Sequence, residues 1–96
     1  MLKIRTASPE DASLIMSHNC AMALETEGKV LDPEAAIAGV EGLFKRPQFG
    51  FYLVAEVDGL PAATLMVTYE WSDWRNGLFW WIQSVYVASE FRRQGI

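Results

Sequence analysis

Two apolar, β-rich runs separated by nothing but Asp58-Gly59 constrain this chain more than any other feature. Phe51 to Val57 and Leu60 to Trp71 carry the β-branched and aromatic residues of strands. An Asp-Gly link joins two strands as a tight hairpin, because its turn needs positive φ at both residues. Pro61 fits the returning strand only near its beginning, where a missing N–H is tolerated. A polar stretch, Ser72-Asp73-Trp74-Arg75-Asn76-Gly77, holds an Asn-Gly pair, and Leu78 to Val87 then reads as a central, mostly apolar strand.

The first half reads differently. Leu2 to Ala7 alternate apolar and polar residues as a short strand, and Ser8-Pro9-Glu10-Asp11 supplies an N-cap serine, a proline for the first helical position and acids for the first turn. Leu14, Ile15, His18, Ala21 and Met22 fall on one stripe of a 3.6-residue period, which Gly28 ends. Asp32-Pro33 starts a second helix by the same logic, with Ala36, Val40, Leu43 and Phe44 as its apolar stripe and Pro47 beyond its end. Gly39 and Gly42 weaken that helix by roughly 1 kcal/mol each relative to alanine. The order is β-α-α-β-β-β and then a basic, glycine-containing loop.

Ninety-six residues, 51% of them hydrophobic, make one globular domain near the lower size limit for a single core. Cys20 stands alone, so no disulfide staples it, and a reducing compartment is expected. Cys20 itself reads as buried and inert, and His18 as a packed histidine with a satisfied hydrogen bond. No metal site is expected, since the one histidine and one cysteine form no ligand cluster. A net charge of −4 would repel a phosphate backbone, which argues against nucleic acid. With no apolar h-region and no long apolar run, the chain reads as soluble, cytoplasmic and without a membrane partner.

The polar C-terminal segment carries the chemistry. Backbone N–H groups after a strand, aimed into a turn that opens a helix, suit a phosphate because unpaired donors and the helix dipole both favour an anion. Gly95 allows close approach, and Arg92 and Arg93 add charge. The run from Val85 to Ile96, Val-Tyr-Val-Ala-Ser-Glu-Phe-Arg-Arg-Gln-Gly-Ile, placed after β-α-α-β-β, resembles the signature segment of the GNAT superfamily of acetyl-CoA-dependent N-acetyltransferases. In that family the fourth strand leads into a loop of pattern Q/R-x-x-G-x-G/A that holds the pyrophosphate of coenzyme A. Arg92, Gly95 and Ile96 occupy its first, fourth and fifth places, and the sixth would be residue 97.

The resemblance implies an α+β fold of the α/β-type GNAT class, with a mixed, mainly antiparallel sheet flanked by helices. It implies a single partial domain over residues 1–96, the N-terminal two-thirds of the whole, truncated after the fourth strand. It implies an acyltransferase that moves acetyl from acetyl-CoA to a primary amine of a small molecule or peptide by direct attack. Val85, Tyr86 and Val87 would pair their backbone with the acetyl group and pantetheine arm, and Arg92, Arg93, Gln94, Gly95 and Ile96 would cradle the pyrophosphate. A homo-oligomer, most simply a homodimer, is expected from the open edge and apolar face such a truncation leaves. The competing reading is a non-catalytic half that dimerises or binds a ligand without turnover.

Direct attack needs a neutral amine, and deprotonating a lysine-like amine at pH 7 costs roughly 4.6 kcal/mol. Glu70 and Asp73, at the end of the third strand and in the loop beyond, are the candidate catalytic acids. Trp71, Trp74 and Gln83, with Glu25 from the first helix, are the candidate acceptor contacts. Plain strand alternation puts Phe79, Trp81, Gln83, Val85 and Val87 on one face and Trp80, Ile82, Ser84 and Tyr86 on the other.

Overall fold

Asp58 and Gly59 adopt φ of 51° and 81°, the positive pair that the hairpin requires, and link strands Gly50–Val57 and Leu60–Ser72. The structure, a computed structural model, describes residues 1–93. In chain order its elements are β1 (Leu2–Thr6), α1 (Ala12–Glu27), α2 (Pro33–Phe44), β2 (Gly50–Val57), β3 (Leu60–Ser72) and β4 (Gly77–Val87). Short 3-10 turns, Pro9–Asp11 and Ser89–Phe91, precede α1 and follow β4. The sheet runs β1-β2-β3-β4 with every neighbour antiparallel. β4, read from sequence as central, is therefore an edge strand among the described residues, and most of its side chains are exposed. Its apolar composition matches burial on both sides, but here only β3 flanks it.

The helix ends follow local chemistry. Gly28 takes φ 65° after α1, and its N–H and that of Lys29 bond back to the carbonyls of Leu24 and Ala23. The Asp32 carboxylate accepts the Glu34 N–H at the start of α2. Before α1, Ser8 and Pro9 begin a single 3-10 turn instead of the helix itself, and Asp11 anchors it. The Asp11 carboxylate accepts the Ser8 N–H and a two-pronged pair from Arg5 of β1 at 2.7 and 2.8 Å.

Both helices pack on one face of the sheet. Ala12 and Ile15 of α1, Val40 of α2 and Tyr52 of β2 form the buried cluster, with Phe44 and Met66 against it. Burying Ile15, Val40 and Val54 completely stabilises the fold by about 1.5–3 kcal/mol each. On the other face Ile4, Leu53, Ala55, Leu65, Val85 and Val87 surround a shallow apolar hollow of about 140 Å³. No helix of the described residues covers it.

One irregularity reorders the faces of β4. Thr64 pairs with Tyr86 and Met66 with Gln83, so a single residue of β3, Leu65, lies opposite two of β4, Ser84 and Val85. This is a β-bulge, and Ser84 adopts φ 52° within it. The extra residue corrects the alternation expected from sequence. Phe79, Trp81, Gln83 and Tyr86 share the helix side, being paired with or next to Glu70, Thr68, Met66 and Thr64. Leu78, Trp80, Ile82, Val85 and Val87 take the open side. Tyr86 has thus changed places with Val85 and Val87.

Candidate functional site

Tyr86 is the centre of the site. Its ring lies 5.0 Å from the ring of His18 on α1, and its hydroxyl donates to Glu25 Oε2 at 2.6 Å. Glu25 sits in the last turns of α1, three residues before the Gly28 cap. Its second oxygen, Oε1, accepts from Arg92 Nη2 at 2.7 Å. Arg92 in turn stacks its guanidinium carbon 5.3 Å from the Tyr86 ring centre and donates its Nε to the Val87 carbonyl at 2.9 Å. One carboxylate therefore joins α1, β4 and the loop after β4.

The charges respond to this arrangement. The Tyr86 hydroxyl, and then the Arg92 guanidinium, hold the Glu25 carboxyl below its ordinary range. Glu25 raises Tyr86 and Arg92 in return. All three stay partly open to water, so the pairing sets position more than stability. His18 is buried, and its Nδ1 lies 2.9 Å from Thr64 Oγ1, which meets the packed and satisfied histidine expected. Burial pushes its pKa down, against a smaller upward pull from Glu90. Cys20 is half-buried, not fully so, with its thiol 3.6 Å from Met16 sulfur.

Met22, Glu25, Thr26, Val85, Tyr86, Val87 and Arg92 line an open cleft of about 420 Å³. The strand edge beside it is exposed in a defined way. The Ala88 N–H bonds inward to the Ala62 carbonyl at 2.8 Å, so the preceding residue, Val87, turns its own N–H and carbonyl to the outer edge of the sheet. The bulge at Ser84 and Val85 disturbs the ladder immediately upstream. The outward Val87 N–H, a Val87 carbonyl held by Arg92 and the arginine itself thus stand together at the end of β4. Arg93 follows with φ 67° on an exposed backbone, and Gln94, Gly95 and Ile96 lie outside the described residues.

The other predicted residues run along the β3–β4 hairpin from the bulge to its turn. Gln83 is on the helix side and donates to Thr68 Oγ1 at 2.5 Å. Glu70, on the same side, accepts from Trp81 Nε1 at 2.8 Å. Glu70 is four residues along β3 from Met66, about 14 Å at the usual rise. Asp73 and Trp74 lie in the turn, and Trp71 faces the open side. The structure thus brings Glu25, Val85, Tyr86, Val87 and Arg92 into one cleft, sets Gln83 and Glu70 on a ladder leading away from it, and leaves Trp71, Asp73 and Trp74 apart. Met22, read from sequence only as part of the first helix's apolar stripe, and Thr26, not singled out, also line the cleft. Met22 lies three residues before Glu25 and four before Thr26, and that spacing from a residue of the helix's apolar stripe was the available signal.

Among the described residues no cluster of three or more His, Cys, Asp or Glu could hold a metal ion, and no helix is long and apolar enough to cross a membrane. A family model described as the acetyltransferase (GNAT) family matches residues 15–96. A search among curated proteins returns no match. Among solved structures, a possible acetyltransferase from Clostridium difficile 630 is 47% identical with a TM-score of 0.94, over 99% of this chain and 62% of that one. A predicted acetyltransferase with acetyl-CoA from Clostridium acetobutylicum is 20% identical with a TM-score of 0.76, over 100% of this chain and 66% of that one. Glucosamine-6-phosphate N-acetyltransferase from Arabidopsis thaliana is 23% identical with a TM-score of 0.69, over 100% and 66%. The last two likenesses concern the fold alone. The chain spans about three-fifths of the length of the first of these relatives.

Proposed function

We propose that this chain, which belongs to the acetyltransferase (GNAT) family, carries the acyl-CoA-binding part of an enzyme that moves acetyl from acetyl-CoA to a primary amine of a small molecule or peptide. The observation that carries this reading is the outward-facing backbone at the end of β4, set beside an arginine and a 420 Å³ cleft. An extended pantetheine arm needs a strand edge with outward-facing backbone groups, and Val87 turns its N–H there, while its carbonyl already accepts from Arg92. Its pyrophosphate needs cations and loop amides, a role for which Arg92 and Arg93 stand at the end of β4 and which the family pattern gives also to Gln94, Gly95 and Ile96.

With the phosphates at the loop, the thioester falls upstream, near the Ser84 bulge. The neutral amine attacks the thioester carbonyl carbon, a C–N bond forms and the C–S bond breaks. The proton lost by the amine ends on the departing coenzyme A sulfur, giving an N-acetyl amine and free thiol. About 14 Å along the strand, Glu70 is beyond direct hydrogen-bond reach of an amine at that point, which leaves it outside the proton transfer; the amine's proton leaves through water, with Asp73 as the remaining candidate acid. The exposed apolar face around Leu65, Ile82 and Val85 supports a second reading, a dimerising or ligand-binding module without turnover.

Calorimetry of the full-length protein with acetyl-CoA, with adenosine and inorganic pyrophosphate as controls, tests the cofactor site. Micromolar binding of acetyl-CoA alone is expected, weakened about tenfold or more by Arg92→Ala. Release of free thiol with a panel of primary amines then separates enzyme from binder. No heat with acetyl-CoA would sink the acyl-CoA reading, and binding without thiol release would leave the module.

A further inference from the structure

The helix side of β3 and β4 continues past the helices as a ladder of side chains: Gln83 on Thr68, then Trp81 on Glu70, then Phe79. Two features of its far end suit a positive charge. The Trp81 N–H occupies one oxygen of Glu70 and leaves the carboxylate acceptor capacity on the other. That same bond fixes the Trp81 ring, which is half exposed. Next to it the Arg75 guanidinium carbon lies 5.0 Å from the centre of the Phe79 ring, so that ring is already taken by a cation and the aromatic face left to a ligand is that of Trp81. The stretch between this end and the Ser84 bulge is neutral, built from the Gln83 and Thr68 pair.

We infer that the acceptor is a linear amine with a second positive charge, held by Glu70 and the Trp81 ring roughly 10–14 Å from the amine that is acetylated. This rests on the acetyltransferase reading above, since the position of the reacting amine comes from it. The neutral ladder then takes the aliphatic spacer, and the distance between the two nitrogens sets which acceptors bind well. Glu70 acts here as a specificity-determining residue and not as the base.

The test compares α,ω-diamines of three to twelve carbons with monoamines of equal length, by free-thiol release from acetyl-CoA with the full-length protein. The KM of the ten-carbon diamine is expected about tenfold below those of the ten-carbon monoamine and the three-carbon diamine, as for one charge-assisted contact. Glu70→Gln, which keeps an acceptor for the Trp81 N–H, should erase that advantage with kcat unchanged. Equal KM values for monoamine and diamine, or a Glu70→Gln loss of kcat shared by all amines, overturns the inference. Tryptophan fluorescence titrated with the ten-carbon diamine reads the charge site without turnover, and Trp81→Phe should abolish its saturable change. Absence of a saturable change in the wild type also overturns it. Failure of acetyl-CoA binding with an intact fluorescence response would instead fault the acetyltransferase reading.

Discussion

Replacing Thr64 by valine isolates a buried polar contact that joins α1 to the sheet. Thr64 and His18 are 3% and 8% exposed, so water does not replace a lost partner. Valine matches threonine in shape, removes the oxygen 2.9 Å from His18 Nδ1 and leaves that nitrogen unpaired. Stranding a buried polar group costs about 1–3 kcal/mol, and the valine methyl, easier to bury than a hydroxyl, offsets part of it. A net loss of about 1–2 kcal/mol follows, or roughly 5–15 °C in Tm for a domain of this size. Stability should also depend on pH in a defined sense. Burial holds His18 below its ordinary pKa, so the unfolded chain takes up a proton first as pH falls. Stability is therefore full above about pH 6.5, and it declines as pH falls from there through the folded-state value. Urea unfolding of wild type and Thr64→Val at pH 7.5 and 5.5, with unchanged m, measures both effects. A loss under about 0.5 kcal/mol at pH 7.5 would refute the argument that this contact is buried and needed.

Gly50→Ala should cost about 3 kcal/mol or more, because a Cβ there would stand 2.1 Å from the Val67 carbonyl oxygen at φ 157°; thermal unfolding of the soluble fraction reads it. Asp11, held at a pKa of about 2 chiefly by the Arg5 hydrogen bond, contributes stability above pH 4 that is lost as pH falls towards 2. Arg5 is partly exposed, and solvent screening reduces the contribution to about 1 kcal/mol, so Asp11→Asn should cost that much at pH 7 and flatten the acid limb of a stability profile. Deleting Ser84 would leave Val85 alone opposite Leu65 and return β4 to a regular ladder with every other side chain on its present face. Stability should hold or rise by about 1 kcal/mol as a positive φ is removed, while acetyl-CoA affinity measured by calorimetry falls at least tenfold; unchanged affinity would separate the bulge from the cofactor site.

What could be read from the residues was whatever local chemistry decides. Asp58-Gly59 allows one turn, Gly28 suits one helix cap, and Asp32-Pro33 opens one helix, so these boundaries followed from neighbours alone. The family motif likewise lies in one continuous segment. Contacts across the chain were beyond such reasoning. Glu25 and Arg92 are 67 positions apart, and only the packing of α1 on the sheet brings the carboxylate to the arginine. The constraint on Gly50 also comes from β3, not from its own neighbours. β4 looked central because its apolar and aromatic content is that of a strand covered on both sides, a property of its environment that one strand cannot specify.

The bulge explains how one strand serves two purposes. Without the bulge, the same residues in regular alternation would keep Phe79, Trp81 and Gln83 on the helix side and turn Tyr86 to the open side, away from His18 and Glu25. Ser84 absorbs that extra step at φ 52°, so Tyr86 returns beneath α1 while the Trp81 ladder stays on the same face. Val85 and Val87 turn their side chains to the apolar hollow opposite. The aromatic excess between Tyr69 and Trp81 is divided by the same geometry. Phe51, Tyr69 and Trp80 pack edge and tilt against one another on the open side, and Phe79 and Trp81 take up polar or charged partners on the helix side. A regular β4 of the same composition would leave either the ladder or Tyr86 on the wrong face, so the position of a single serine decides whether cleft and acceptor ladder share a surface.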